Sequence, residues 1–240
     1  MLAVIIAAGL GQRLGDLTKD RPKALVKVVG RELILRAFDF LDHPAITDRI
    51  VVTGYEGERL ASFIKEKCHK VKTVHNPNYR DGSIRTIETA LPFIEEDFLL
   101  MNVDHIYPQR MFGHIIESAQ EITAMCDFDR TLGSDDMKVK LGEDGCLKGI
   151  RKTLSEYDGG YIGMTFCSNA SLTMYKHAVC EARKSEGNAA AVESALALMT
   201  RTNTKINICD VSGMGWLEVD TPADLEIAEK TITDNPTFIL

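Results

Sequence analysis

Arg13 and Lys23 are the residues of this 240-residue chain best placed to hold phosphate, because both follow a glycine-rich break after an apolar run. The run is Ala3-Val4-Ile5-Ile6-Ala7-Ala8, the break Gly9-Leu10-Gly11-Gln12-Arg13-Leu14-Gly15, and the sequence then reaches Arg21-Pro22-Lys23-Ala24-Leu25. Glycines straight after a buried strand let the backbone pass close to a ligand and aim N–H groups at an anion. Arg13 offers a planar fork for two phosphate oxygens. Lys23 offers a mobile point charge behind Pro22, whose ring fixes the backbone on its approach. The chemistry this predicts is the binding of a nucleoside triphosphate.

Two other glycine loops do not fit the string. A dinucleotide fingerprint needs a third glycine where Leu14 stands and an acidic residue about 20 positions on. A Walker-type cradle needs Gly-Lys followed by Ser or Thr after a four-residue gap, a string that occurs nowhere in the chain.

Two carboxylates belong to the same rim. Asp104 ends the strand that begins at Phe98, and strand ends in an open α/β sheet are where ligands bind. Asp220 lies between a short strand at Trp216–Val219 and a helix whose start is marked by Thr221 as cap, Pro222 at the first position and Asp224 in the first turn. A pair of carboxylates beside nucleotide phosphates suits Mg²⁺, which prefers octahedral oxygen ligation. His105 is read as a hydrogen-bonded structural residue, since an acceptor that is already a dianion needs no base.

The elements that must position these residues alternate. A helical pattern over 31–42 is followed by a strand at 50–53, a helix near 56–68, a strand at 71–74, a helix near 83–91 and a strand at 98–101, which predicts a mostly parallel sheet in three layers. After about residue 120 the strands near 122–126, 137–141, 146–151 and 161–164 read as antiparallel, with a turn at Glu143-Asp144-Gly145. Helices near 171–183 and 188–200, a strand at 205–210, the Trp216–Val219 strand and a helix from 222 complete the pattern, and the residues after Pro236 read as a loose tail. The expected organisation is one α/β domain over 1–240, with a nucleotide-binding half over about 1–120 and an acceptor-binding half over about 121–232.

Composition narrows the classes of function. A net charge of -7 disfavours a broad nucleic-acid footprint. The six cysteines lie far apart with no Cys-x-x-Cys pair, so they read as buried reduced thiols rather than a zinc site or a disulfide framework. No apolar run approaches the roughly 18–20 residues of a membrane span, and the start is a core strand rather than a leader, so a soluble, cytoplasmic protein is expected.

The strings Ala7-Ala8-Gly9-Leu10-Gly11-Gln12-Arg13-Leu14 and Pro22-Lys23-Ala24-Leu25 resemble the signature of the sugar-nucleotidyltransferase-like superfamily, departing from it at Gln12, where many members carry Ser or Thr. The resemblance implies a Rossmann-like nucleotidyltransferase fold, with Ala7, Ala8, Gly9 and Gly11 at the nucleotide, Gly82 and Ser83 at its base, and the metal on Asp104 and Asp220. Ser83 also stands where it can cap the helix that follows it. Within that superfamily, Asp104-His105-Ile106-Tyr107, Lys152-Thr153-Leu154-Ser155-Glu156-Tyr157-Asp158 and the Trp216–Thr221 string look most like CTP:inositol-1-phosphate cytidylyltransferases, which make CDP-inositol for the compatible solute di-myo-inositol phosphate. The implied substrates are CTP and a phosphorylated polyol, with Lys152 on the acceptor phosphate. The product would pass to a separate membrane-bound CDP-alcohol phosphotransferase.

Two acceptors and one other class of function compete with that reading. The Leu17–Lys23 loop resembles sugar-1-phosphate nucleotidyltransferases at least as well, although Arg151-Lys152-Thr153 stands where those tend to carry Glu-Lys-Pro. Phosphocholine is a further acceptor, since Tyr107, Tyr157, Tyr161 and Trp216 could cage a quaternary amine. A nucleotide-sensing subunit without chemistry is opposed by the intact Arg13, Lys23, Asp104 and Asp220.

Overall fold

The computed structural model describes residues 1–68 and 70–240. The first half contains strands β1 (Leu2–Ala7), β2 (Lys27–Val28), β3 (Arg31–Glu32), β4 (Asp48–Thr53), β5 (Val71–His75), β6 (Phe98–Asn102) and β7 (His105–Ile106). Its helices are α1 (Leu33–Phe40), α2 (Gly57–Lys67), α3 (Ile84–Ala90) and α4 (Arg110–Ser118). The second half contains β8 (Ile122–Asp127), β9 (Lys138–Leu141), β10 (Leu147–Arg151), β11 (Gly159–Cys167), β12 (Asn207–Asp210) and β13 (Leu217–Glu218), with α5 (Leu172–Glu186), α6 (Ser194–Arg201) and α7 (Pro222–Asp234).

The strand order β10-β9-β11-β6-β1-β4-β5 runs through one nine-stranded sheet, in which β8 also pairs with β11, and β12 pairs with β8. Pairings β6–β1, β1–β4 and β4–β5 are parallel, whereas β11 runs antiparallel to β6, β8 and β9. The expected switch from parallel to antiparallel therefore falls at the β6–β11 boundary. Strand β6 ends there at Asn102, and Val103 and Asp104 follow it directly.

Alternation along the buried strands divides their side chains between two cores, and this creates the three layers. Leu2, Val4, Ile50, Val52 and Leu100 pack with α3, α5 and α6 on one face. Ala3, Ile5, Val51, Leu99 and Met101 pack with α1, α2 and α4 on the other. A third, smaller core joins α7 to the segment around the β2–β3 hairpin through Leu14, Val26, Val28, Val219, Ala228 and Ile232.

Four differences from the sequence reading have local causes. The helix expected over 188–200 begins only at Ser194, because residues 190–192 are bonded to the start of α3: Ile84 N donates to Ala190 O (3.3 Å) and Val192 N to Ser83 Oγ (3.1 Å). Helix α4, not among the elements expected from periodicity, buries Met111, Phe112 and Ile115 despite Gly113 in its middle. The tail is docked rather than loose, since Gln109 N and Arg110 N donate to Ile239 O (3.1 Å) and Leu240 O (2.9 Å). All six cysteines are free, but only Cys126, Cys167 and Cys209 are buried; Cys68, Cys146 and Cys180 are half-buried.

Candidate active site

The chain leaves β1 at Ala7 and turns through Gly9 and Gly11 into a short 3-10 segment, Gln12–Thr18, that carries Arg13. Gly11 has φ +63°, and a Cβ there would meet Thr18 Cγ2 at 3.0 Å and Lys23 Cβ at 3.1 Å, so the glycine lets the loop fold onto the lysine segment. Thr18 Oγ1 closes that loop by donating to Gly11 O (2.8 Å). Lys23 then begins a second 3-10 turn after the extended Pro22.

The two aspartates are brought together by a pair of very short strands. β7 and β13 are antiparallel, with His105 opposite Glu218 and Ile106 opposite Leu217, and Val219 N donates to Asp104 O (2.9 Å). Asp104 and Asp220 thereby flank one point, which the Lys23 ammonium occupies: Nζ donates to Asp104 Oδ2 (2.6 Å) and to Asp220 Oδ1. Lys23 is only 7% exposed. Burial works against its charge, but the two aspartates overcome that and raise its pKa. Burial likewise opposes ionisation of Asp104, yet Lys23 and His105 hold its carboxyl far below the usual range.

His105 is hydrogen-bonded beside Asp104 and lines the same cavity as that residue. Its Nδ1 bonds Asp104 Oδ1 (2.7 Å), its ring stacks on Trp216 (5.2 Å, 15°), and the Asp104 contact raises its pKa against the effect of burial. Asp220 does not cap α7. Thr221 and Asp224 form a complete capping box there, leaving the Asp220 carboxylate free for Lys23 and Arg13.

All of this faces one cavity of about 570 Å³. Ala7, Gly9, Arg13, Lys23, Gly82, Ser83, Asp104, Lys152 and Asp220 line it, so nine of the eleven residues singled out from the sequence share one space. Ala8 and Gly11 are not on its wall. The Ala8 carbonyl accepts from Tyr55 N (3.2 Å) and Gly11 packs against Thr18 and Lys23, so both shape the loop from behind. Ser83 makes no capping bond to α3 and instead accepts from Val192 N. Gly82 has φ +85°, and a Cβ there would lie 2.6 Å from Ala190 O, so this glycine allows the two halves to approach.

Asp135, Glu193 and Glu218 also line the wall, and none of them was singled out from the sequence. Asp135, on the loop between β8 and β9, accepts from Arg13 and from Lys152 Nζ (2.6 Å), joining the two cations expected to hold phosphate. Glu193 precedes α6. Glu218 lies beside Asp104 and His105, their ligand atoms all within 4.8 Å of one another. A signal for Glu218 does exist: Trp216, Glu218 and Asp220 alternate along one short stretch, and all three line the cavity.

The donor set fits a divalent cation. Asp104 and Asp220 offer hard oxygens on either side of a point where the protein already stabilises a positive charge, and Glu218 is close by. Burial, and then Asp104 and Asp220, push Glu218 up to about 7. An acid whose folded pKa lies above its unfolded value makes stability fall as pH rises between the two, here from about 4.5 to about 7. Glu218→Gln is therefore expected to raise the Tm of the metal-free protein at pH 8 by several degrees, on the order of 1–3 kcal/mol, and to change it little at pH 5. Thermal melts at the two pH values check this; an equal shift at both would remove the titration from the explanation.

The MobA-like NTP transferase domain family matches residues 3–194. The bifunctional IPC transferase and DIPP synthase of Rubrobacter xylanophilus is 30% identical over 234 residues, covering 96% of this chain and 51% of that protein. This chain spans about half the length of the curated relatives it matches. Two solved structures share the fold at a TM-score of 0.78: the inositol-1-phosphate CTP transferase from T. maritima, 19% identical over 96% of both chains, and the CTP:phosphocholine cytidylyltransferase from Streptococcus pneumoniae, 21% identical over 96% of this chain and 99% of that one. The Rossmann-like nucleotidyltransferase fold, the glycine loop and the match over most of its length place the chain in the MobA-like NTP transferase domain family.

Proposed function

We propose that this chain is a cytidylyltransferase that joins CTP and myo-inositol-1-phosphate into CDP-inositol and releases pyrophosphate. The observation that carries the reading is the convergence of Arg13, Lys23, Lys152, Asp104 and Asp220 on one cavity. The names of the curated relatives support the choice of acceptor.

In this reading the glycine-loop amides and Arg13 bind the β and γ phosphates, and Lys23 offsets charge that develops around the α-phosphoryl group. Lys152 holds the acceptor phosphate. One of that phosphate's oxygens attacks the α-phosphorus in line, the bond to the bridging oxygen breaks, and pyrophosphate leaves with the electron pair. Asp104 and Asp220 would hold Mg²⁺, which would supply further positive charge at the transferring phosphoryl oxygens. Asp135 must release Arg13 and Lys152 as substrates enter. Both bridges are exposed and therefore weak enough for a phosphate to displace.

Three of the four aromatic residues that could cage a quaternary amine weigh against phosphocholine. Tyr107 is buried with its hydroxyl on Ile162 O (2.5 Å), and neither it nor Tyr157 lines the cavity, whereas Tyr161 does. Trp216 lines it, but its Nε1 donates to Asp127 Oδ2 (2.8 Å), His105 stacks on its ring and the Arg130 guanidinium lies over it at 4.0 Å. No helix among the described residues is long and apolar enough to cross a membrane. A separate membrane-bound CDP-alcohol phosphotransferase is the proposed consumer of the product.

A matrix of four nucleoside triphosphates against inositol-1-phosphate, glucose-1-phosphate and phosphocholine tests the proposal through pyrophosphate release. CTP with inositol-1-phosphate should give the highest kcat/KM, because a pocket that hydrogen-bonds a ring of hydroxyls leaves polar groups unpaired with the wrong acceptor, worth up to about 10⁴-fold. Better turnover of glucose-1-phosphate with UTP or dTTP would replace inositol by a sugar. Lys152→Ala should raise the KM of the acceptor by about 10-fold or more, in line with loss of a charge-assisted hydrogen bond, and that of CTP by far less. Equal increases would take Lys152 away from the acceptor.

A further inference from the structure

Glu193 is a carboxylate on the cavity wall that none of these steps uses. The backbone around it is fixed from both sides. Val192 N donates to Ser83 Oγ (3.1 Å), Ala191 N donates to Ser194 Oγ (3.0 Å), and Ser194 Oγ donates to Glu186 Oε2 (2.6 Å). The segment is thus tied to both α3 and α5, and Glu193 opens α6 at a set position. Among the described residues its carboxylate forms no ion pair and no hydrogen bond to another side chain, although burial pushes its pKa up. Glu193 is half-buried at the cavity wall, and its carboxylate, with its own backbone N–H as the one donor, keeps acceptor capacity that a ligand bringing O–H groups can fill.

The charges nearby narrow the ligand. Lys152 and His105 favour the charged form of Glu193, and Asp104 opposes them. Asp135 and Glu218 line the same cavity, so groups of both signs surround this stretch of wall, and a neutral polyol adds no charge to either. A carboxylate can accept from two hydroxyls at once, which suits neighbouring hydroxyls of a ring.

We infer that Glu193 is an acceptor-specificity residue: its carboxylate accepts hydrogen bonds from adjacent hydroxyls of a phosphorylated polyol whose phosphate rests on Lys152. The inference deepens the proposed function and rests on its acceptor site.

Steady-state kinetics of wild type, Glu193→Gln and Glu193→Ala tests it, with CTP and inositol-1-phosphate, its monodeoxy analogues, glucose-1-phosphate and phosphocholine. Glu193→Ala should raise the inositol-1-phosphate KM by about 10- to 100-fold, the range for hydrogen bonds to a charged group, while the CTP KM stays within about twofold. Glu193→Gln, which keeps one acceptor oxygen, should lose less. The decisive readout is the analogue series: the deoxy compound that binds wild type worst should lose no further affinity in Glu193→Ala, since the missing hydroxyl and the missing carboxylate are partners. Equal losses across all analogues, an unchanged acceptor KM, or a CTP KM raised as much would overturn the assignment. If wild type prefers glucose-1-phosphate, the inositol reading fails and the deoxyglucose phosphates test Glu193 by the same criterion. If it prefers phosphocholine and Glu193→Gln abolishes that preference, the carboxylate is a counterion and the inference is wrong. Thermal shift with inositol-1-phosphate alone repeats the comparison without turnover, and absence of a shift for wild type at millimolar ligand counts against it.

Discussion

Lys23→Ala is expected to lower kcat at saturating substrates by at least about 10²-fold, the scale seen when a charge-stabilising donor is removed from a transition state. The same change should destabilise the metal-free protein. Lys23 Nζ is shared between Asp104 and Asp220, whose side chains are 21% and 15% exposed, and its loss leaves two neighbouring carboxylates without their cation. Breaking a buried ion pair costs about 3–5 kcal/mol, and the partial exposure here puts the expected loss near the lower end, a fall in Tm of roughly 5–10 °C. A divalent cation should then compete better for the vacated point. Mg²⁺ is expected to raise the Tm of Lys23→Ala by more than it raises that of wild type. Turnover within about threefold of wild type would take Lys23 out of catalysis, and equal Mg²⁺ shifts would show that metal and ammonium do not share the two aspartates.

What could be read from the sequence was local. The strand-break-glycine string, Pro22-Lys23, the Asp104 strand end and the Thr221-Pro222-Asp224 helix start are each legible within a dozen residues, and the structure brings the residues they carry or position to one rim. What escaped depends on chain-distant partners. Asp135 matters because it meets Arg13, 122 positions away, and Lys152. Ser83 looked like a cap because capping is a short-range rule, but its hydroxyl is taken by Val192, 109 positions on. That same bond holds residues 190–192 out of the helix and delays α6, so one tertiary contact accounts for two differences. Glu218 was legible in principle, through its two-residue spacing from Trp216 and Asp220, but a two-residue strand gives little periodicity to read. Glu193 sits in a run that looks helical by composition, and nothing local separates a surface glutamate from one that faces a cavity.

Asp104→Asn and Asp220→Asn should each reduce Mg²⁺-dependent kcat/KM by on the order of 10²–10³, since an amide keeps the shape of the side chain but loses the charge that holds a hard cation. The structure limits the folding effect at Asp220. Helix α7 is capped by Thr221 and Asp224, so an asparagine at position 220 leaves the start of the helix intact, and its fall in Tm is confined to the weaker hold on the buried Lys23 ammonium, which Asp104 still pairs. At Asp104 the carboxylate also accepts from His105, which stacks on Trp216, so its asparagine variant should show a larger fall in Tm as well as lost activity. Raising Mg²⁺ should recover part of the activity of each single variant, because the remaining carboxylate still offers one ligand. The double variant should not respond. Full activity of Asp220→Asn at low Mg²⁺ would leave Asp220 only as the counterion of Lys23 and Arg13, and the metal would then have to rest on Asp104 with Glu218.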